Sequence, residues 1–152
     1  MSCILAGYAE SRKLTERTLL LEKFLKFLAN VEAEVRYSAM PVDKVVEKYG
    51  GELPFLQSCT EYCRKGMGFQ KAWECGLRDA GEGIREEDRE LFRGFGKGFG
   101  ASDLQGQASH CELYRKITET RLKEAEQEKN SKAKLYLSLG VSGGLCAVLI
   151  LW

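Results

Sequence analysis

The last 18 residues of the chain, 135–152, form an uninterrupted apolar run that carries no charged side chain. A helix of that length is roughly 27 Å long, close to the ~30 Å hydrocarbon core of a bilayer. The alternative is a buried core helix, but the small and highly charged remainder of the chain could hardly cover a helix that is apolar on every side. The pattern therefore predicts a transmembrane helix at residues 135–152.

Upstream of this run, apolar residues recur at helical spacing rather than alternating as they do in strands. Between about residues 11 and 37, two neighbouring stripes form one wide apolar face. The stripes consist of Leu14, Leu21, Leu25, Leu28 and Val35, and of Leu20, Phe24, Phe27 and Val31. A face this wide predicts a long first helix that packs against several others.

Proline and glycine divide the middle of the chain into shorter helices, because proline suits a first helical turn and glycine suits a helix end. The expected helices span about 41–49, 54–65, 69–80 and 86–99. A last helix, capped by Ser102 or Asp103, meets no breaker before the apolar run. The fold class is therefore all-α: a bundle of about five to six helices whose long last helix runs into a C-terminal transmembrane segment.

The charges near the apolar run indicate how the chain is divided. Lys129, Lys132 and Lys134 precede the run, and no charged residue follows it. The positive-inside rule then puts residues 10–128 in the cytoplasm as one helical domain, joined to the membrane by a basic stalk at 129–134. Beyond Ala125 the sequence offers few residues to bury, so we expect an exposed stalk or a hinge. Residues 1–9 are apolar but too few to span, and they look like the end of a transmembrane helix.

Composition limits the classes of function. The 152 residues allow one small domain besides the anchor. The 23 Lys and Arg residues balance the 22 Asp and Glu residues to a formal net charge of +1, so no general attraction to nucleic acid is expected. The six cysteines follow no disulfide spacing, and in a cytoplasmic domain we expect them to be free thiols.

The glycine run at residues 94–100, with Lys97 inside it, is the one stretch that suggests nucleotide binding. A phosphate-binding loop needs a preceding strand and a following helix N-terminus, whereas these glycines follow a helix. They alternate with Phe95 and Phe99, which is typical of a crowded helix end where small residues permit close packing. Packing is the favoured interpretation, and nucleotide binding is a minor alternative.

No other group of side chains predicts chemistry. Cys59, Cys63, Cys75, His110 and Cys111 lack the closely spaced pairs that structural zinc sites use. His110 and Cys111 are helix neighbours whose side chains diverge, so they do not form a nucleophile and base. We therefore expect no catalytic residue, no metal site and no cofactor.

Four segments, taken together, are distinctive. They are LANVEAEVRYSAMPV from Leu28, KAWECGL from Lys71, FGKGFGASDLQGQ from Phe95, and KLYLSLGVSGGLCAVLILW from Lys134. In these segments the chain resembles the stage III sporulation protein AB family of spore-forming Firmicutes. The matching positions that the resemblance and the helix pattern indicate as partner contacts are Glu32, Glu34, Tyr37, Phe95, Gly96, Gly100, Asp103 and Gln107.

The resemblance implies a non-enzymatic component of the channel complex that joins mother cell and forespore. Its helical domain would be similar to those of type II secretion inner-membrane platform proteins. The implied location is the mother-cell membrane surrounding the forespore, with the main domain in the cytoplasm. The implied partners are the cytosolic ATPase of the complex, other membrane components and, as a further possibility, copies of the same chain. The alternative is a tail-anchored helical interaction protein with unrelated partners.

Overall fold

The computed structural model describes residues 2–101 and 103–151. The helices are α1 (Ser2–Tyr37), α2 (Val42–Tyr49), α3 (Pro54–Arg64), α4 (Phe69–Asp79), α5 (Glu86–Gly98) and α6 (Leu104–Leu151), with a short 3-10 turn at Gly81–Gly83. Within the described residues there is no strand. The all-α fold with a long last helix is therefore confirmed, and α2 to α6 begin or end within two residues of the expected positions.

The largest difference from expectation lies at the start of α1. The helix begins at Ser2 instead of near residue 11, so the apolar N-terminal segment continues directly into the first long helix. No proline occurs before Pro41, and the only glycine in this stretch, Gly7, packs where a ring of α6 lies close. The whole of α1 can therefore run beside α6.

Helices α1 and α6 form an antiparallel pair along the length of the domain. Near one end, a β-carbon added to Gly7 would lie 3.2 Å from the ring of Tyr136. Near the other end, Glu32 of α1 lies 3.1 Å from Arg115 of α6. The four shorter helices lie between α1 and α6 in sequence and pack on this pair.

An aromatic core joins the short helices to α1. Phe24 of α1 packs against Phe92 of α5 with ring centroids 4.3 Å apart, and Phe55 of α3 stacks on the same Phe92 at 5.2 Å. Trp73 of α4 meets Phe55 edge to face at 5.6 Å. All four rings are fully buried, and large rings of this kind contribute most of the apolar area in a small core.

From Leu135 onward, the described residues of α6 whose side chains can be placed are all exposed. In the described part of the chain, α6 is the helix that is long and apolar enough to cross a membrane. Trp152, the last residue of the predicted span, lies outside the described residues.

The segment 126–134 is largely exposed, as expected, but the structure shows no hinge there, because α6 continues through it without a break. Lys132 donates to a carboxylate oxygen of Glu10, and the Tyr136 hydroxyl donates to the other oxygen at 3.3 Å. The stalk therefore lies beside the start of α1 instead of standing alone. Charged side chains hold it there, which an analysis of apolar periodicity could not detect.

Candidate functional site

The eight residues that the sequence indicates as partner contacts all lie at one end of the domain. They belong to the last turns of α1, the end of α5, the turn between α5 and α6, and the start of α6. Because α1 starts beside Tyr136 and runs away from the apolar segment of α6, this is the membrane-distal end if α6 is the anchor. Gly7 and Tyr37 are separated by 30 positions, which is roughly 45 Å of helix.

Glu32 and Glu34 are largely occupied by contacts within the chain. Glu32 binds Arg36 at 3.0 Å and Arg115 of α6 at 3.1 Å. Glu34 accepts hydrogen bonds from the Tyr49 hydroxyl at 2.5 Å and from Lys48 at 3.2 Å. The hydrogen bond from Tyr49, followed by the one from Lys48, lowers the pKa of Glu34. The two carboxylates thus fasten the end of α1 to α6 and to α2.

Tyr37 and Asp103 are presented to solvent. The Tyr37 side chain is 89% exposed, the highest value among the large apolar side chains described. Asp103 is also exposed, and its Oδ1 accepts a hydrogen bond from the Gly106 backbone N–H at 2.9 Å, so the predicted cap of α6 by Asp103 is confirmed. Ser102, the other candidate cap, lies outside the described residues.

Phe95, Gly96 and Gln107 are buried, so they have almost no surface to offer a partner in this conformation. Gln107 accepts a hydrogen bond from the Gly100 backbone N–H at 3.0 Å. Gly100 has a φ of +88°, a conformation that side chains other than glycine rarely adopt. These residues build the turn between α5 and α6, and their role as direct contacts stays a prediction.

The glycine run packs against aromatic rings, which confirms the packing interpretation. Added β-carbons at Gly94, Gly96 and Gly98 would come within 2.5 Å of Tyr114, Trp73 and His110, respectively. All three glycines lie inside α5, not in a loop between a strand and a helix. The arrangement therefore lacks the geometry of a phosphate-binding loop.

The histidine and the buried thiols are packed groups rather than a reaction centre. His110 Nε2 lies 2.9 Å from the Phe95 carbonyl oxygen, and its ring stacks on Phe95 at 5.2 Å. Burial raises the pKa of the Cys59 and Cys111 thiols to about 12, so both stay protonated near neutral pH. Among the described residues, no three His, Cys, Asp or Glu side chains are grouped as a metal site.

A buried ion cluster, which the sequence analysis missed, lies in the half of the domain nearer the apolar segment. Arg17 is 8% exposed and donates two hydrogen bonds to Asp88, which is fully buried, at 2.7 Å and 3.0 Å. It also donates to Glu87 at 3.0 Å and to Glu128 at 3.2 Å. These carboxylates raise the pKa of Arg17, with the Asp88 hydrogen bond as the largest cause. The signal in the sequence was a charged residue within the buried stripe between Leu14 and Leu21.

Two further arginines complete this cluster. Arg85 donates to both carboxylate oxygens of Glu128, at 3.1 Å and 3.2 Å. Arg121 lies 3.3 Å from Glu87. The hydrogen bonds from Arg85 are the largest cause of the lowered pKa of Glu128. The cluster joins α1, the start of α5 and α6, so it fixes the domain body to the helix that carries the apolar segment.

A second feature missed from the sequence is a shallow cleft between the end of α1 and the start of α6. Its volume is about 330 Å³, and its lining residues are Val35, Arg36, Tyr37, Leu104, Gln105 and Ala108. Val35 and Ala108 contribute little accessible surface to it, because both are almost completely buried. The cleft could not be foreseen because it depends on how far α1 and α6 overlap.

The family model described as stage III sporulation protein AB matches residues 1–152. A solved structure titled stage III sporulation protein AB is 22% identical, with a TM-score of 0.67 over 76% of this chain and 98% of that one. At that identity the structural likeness supports the fold alone. No curated protein matches the chain significantly.

Proposed function

The chain belongs to the stage III sporulation protein AB family, and on that premise we propose that it is a membrane-anchored, non-enzymatic platform of the stage III sporulation complex. In this proposal the apolar part of α6 spans the membrane and the rest of the chain carries a binding surface into the cytoplasm. The surface would engage the cytosolic ATPase of the complex.

One observation carries this proposal: α6 is a single helix from the membrane-distal end of the domain to the apolar segment. The first turn of α6 borders the candidate contact surface. Its C-terminal apolar segment is long enough to cross a bilayer. Because α1 is fastened to it near both ends, the domain forms one body on that helix. Such a body suits a platform that holds a partner at a fixed height above the membrane.

The direction of the chain across the membrane follows from charge. Lys129, Lys132 and Lys134 lie just before the apolar segment, and the positive-inside rule places them on the cytoplasmic side. The family assignment supports the mother-cell membrane around the forespore as its location. Copies of the chain and other membrane components of the complex are further proposed partners.

The alternatives receive less support. A nucleotide-binding module needs the glycine run to be open, whereas aromatic rings cover it. A tail-anchored interaction protein outside sporulation would share the fold but not the family match over residues 1–152.

Co-purification from sporulating cells tests the platform. The tagged full chain is extracted from membranes in a mild detergent, and the ATPase of the complex is measured by immunoblot. We expect the ATPase to be recovered with the chain. A tail-anchored protein of similar size with the same tag serves as the control.

Absence of the ATPase from the wild-type preparation, with the chain itself membrane-bound and folded, would contradict the coupling role. Recovery of the chain in the soluble fraction would contradict the anchor.

A further inference from the structure

We draw no further inference here: the strongest candidate, the exposed apolar start of α1, where Leu5 and Tyr8 flank the contact of Gly7 with Tyr136 of α6, restates the membrane-entering segment that the sequence already predicts at residues 1–9.

Discussion

Single residues at the helix contacts set how closely the elements approach. The clearest is Gly96, where the backbone of α5 lies against the indole of Trp73, whose Nε1 donates to the Phe92 carbonyl oxygen at 3.0 Å. Because glycine has no side chain, the indole ring can lie directly against the helix backbone at position 96. The periodicity of the sequence suggested crowding at the glycine run, but not which ring covers which glycine.

We expect Gly96→Ala to destabilise the domain. The added carbon would lie 2.3 Å from Trp73 Nε1, and overpacking a core costs about 1–3 kcal/mol. Alanine is favoured over glycine in a helix by roughly 1 kcal/mol, which offsets part of that cost. Urea unfolding of the full chain in mild detergent, followed by circular dichroism, measures the difference. Gly68→Ala, where nothing lies within 4 Å, is the control, and equal stability of the two variants would contradict this packing.

The Arg17–Asp88 pair should be intolerant of losing one partner. Asp88→Ala leaves a buried guanidinium without its main acceptor, and breaking a buried pair in this way costs about 3–5 kcal/mol. Replacing both partners, as in Arg17→Met with Asp88→Leu, removes the charge as well, so much of the stability should return. Urea unfolding of the two variants and the wild type measures these differences in stability. A double variant no more stable than Asp88→Ala would show that the ions themselves are required.

Glu128 predicts a pH dependence. Arg85 lowers its pKa from the usual 4.5, so its contribution to the free energy of unfolding is present above pH 4.5 and is lost as the pH falls through the folded value. Glu128→Gln should therefore be less stable than the wild type at pH 7, with a difference that shrinks as the pH falls below about 4.5. Unfolding curves at several pH values measure it. Glu126→Gln, at an exposed position, should differ little at any pH.

At the scale of whole elements, the pairing of α1 with α6 organises the fold. The apolar stripes predicted α1, and the unbroken helical pattern predicted α6, because both signals are local. Their register could not be predicted, since it depends on ion pairs between residues more than a hundred positions apart, such as Glu10 with Lys132. Because the register of α1 against α6 could not be predicted, the ion cluster and the cleft could not be predicted either.

The contact of Lys132 with Glu10 should hold the start of α1 against the stalk. An exposed ion pair stabilises only modestly because solvent screens it, so we expect its loss to change local opening by only a few-fold. Lys132→Gln should therefore speed amide hydrogen exchange in residues 5–13 several-fold, while exchange in α3 and α4 stays unchanged. Lys134→Gln removes a nearby exposed lysine that forms no ion pair with the described residues, and it should leave the exchange unaltered. Identical exchange in the two variants would show that α1 is held by packing alone.

At the scale of the whole molecule, the chain is a small helical body packed on one long helix, and the C-terminal segment of that helix beyond the body is apolar. Composition and periodicity predicted that architecture, and the four distinctive segments indicated the family that the full-length match then showed. The exposure of the candidate contact residues could not be predicted, because periodicity cannot distinguish an exposed Tyr37 from a buried Phe95 at the same end of the bundle. Both are aromatic residues beside a helix end, and the tertiary contacts alone decide their exposure.

The central claim is that this chain binds the ATPase and holds it at the membrane, and vesicle flotation tests it most directly. The purified full chain is reconstituted into lipid vesicles, mixed with the purified ATPase and floated through a density gradient beside empty vesicles. Our account predicts that the chain floats even after an alkaline wash, and that the ATPase floats only with vesicles that carry the chain. An ATPase that stays at the bottom of the gradient with chain-bearing vesicles would contradict the account.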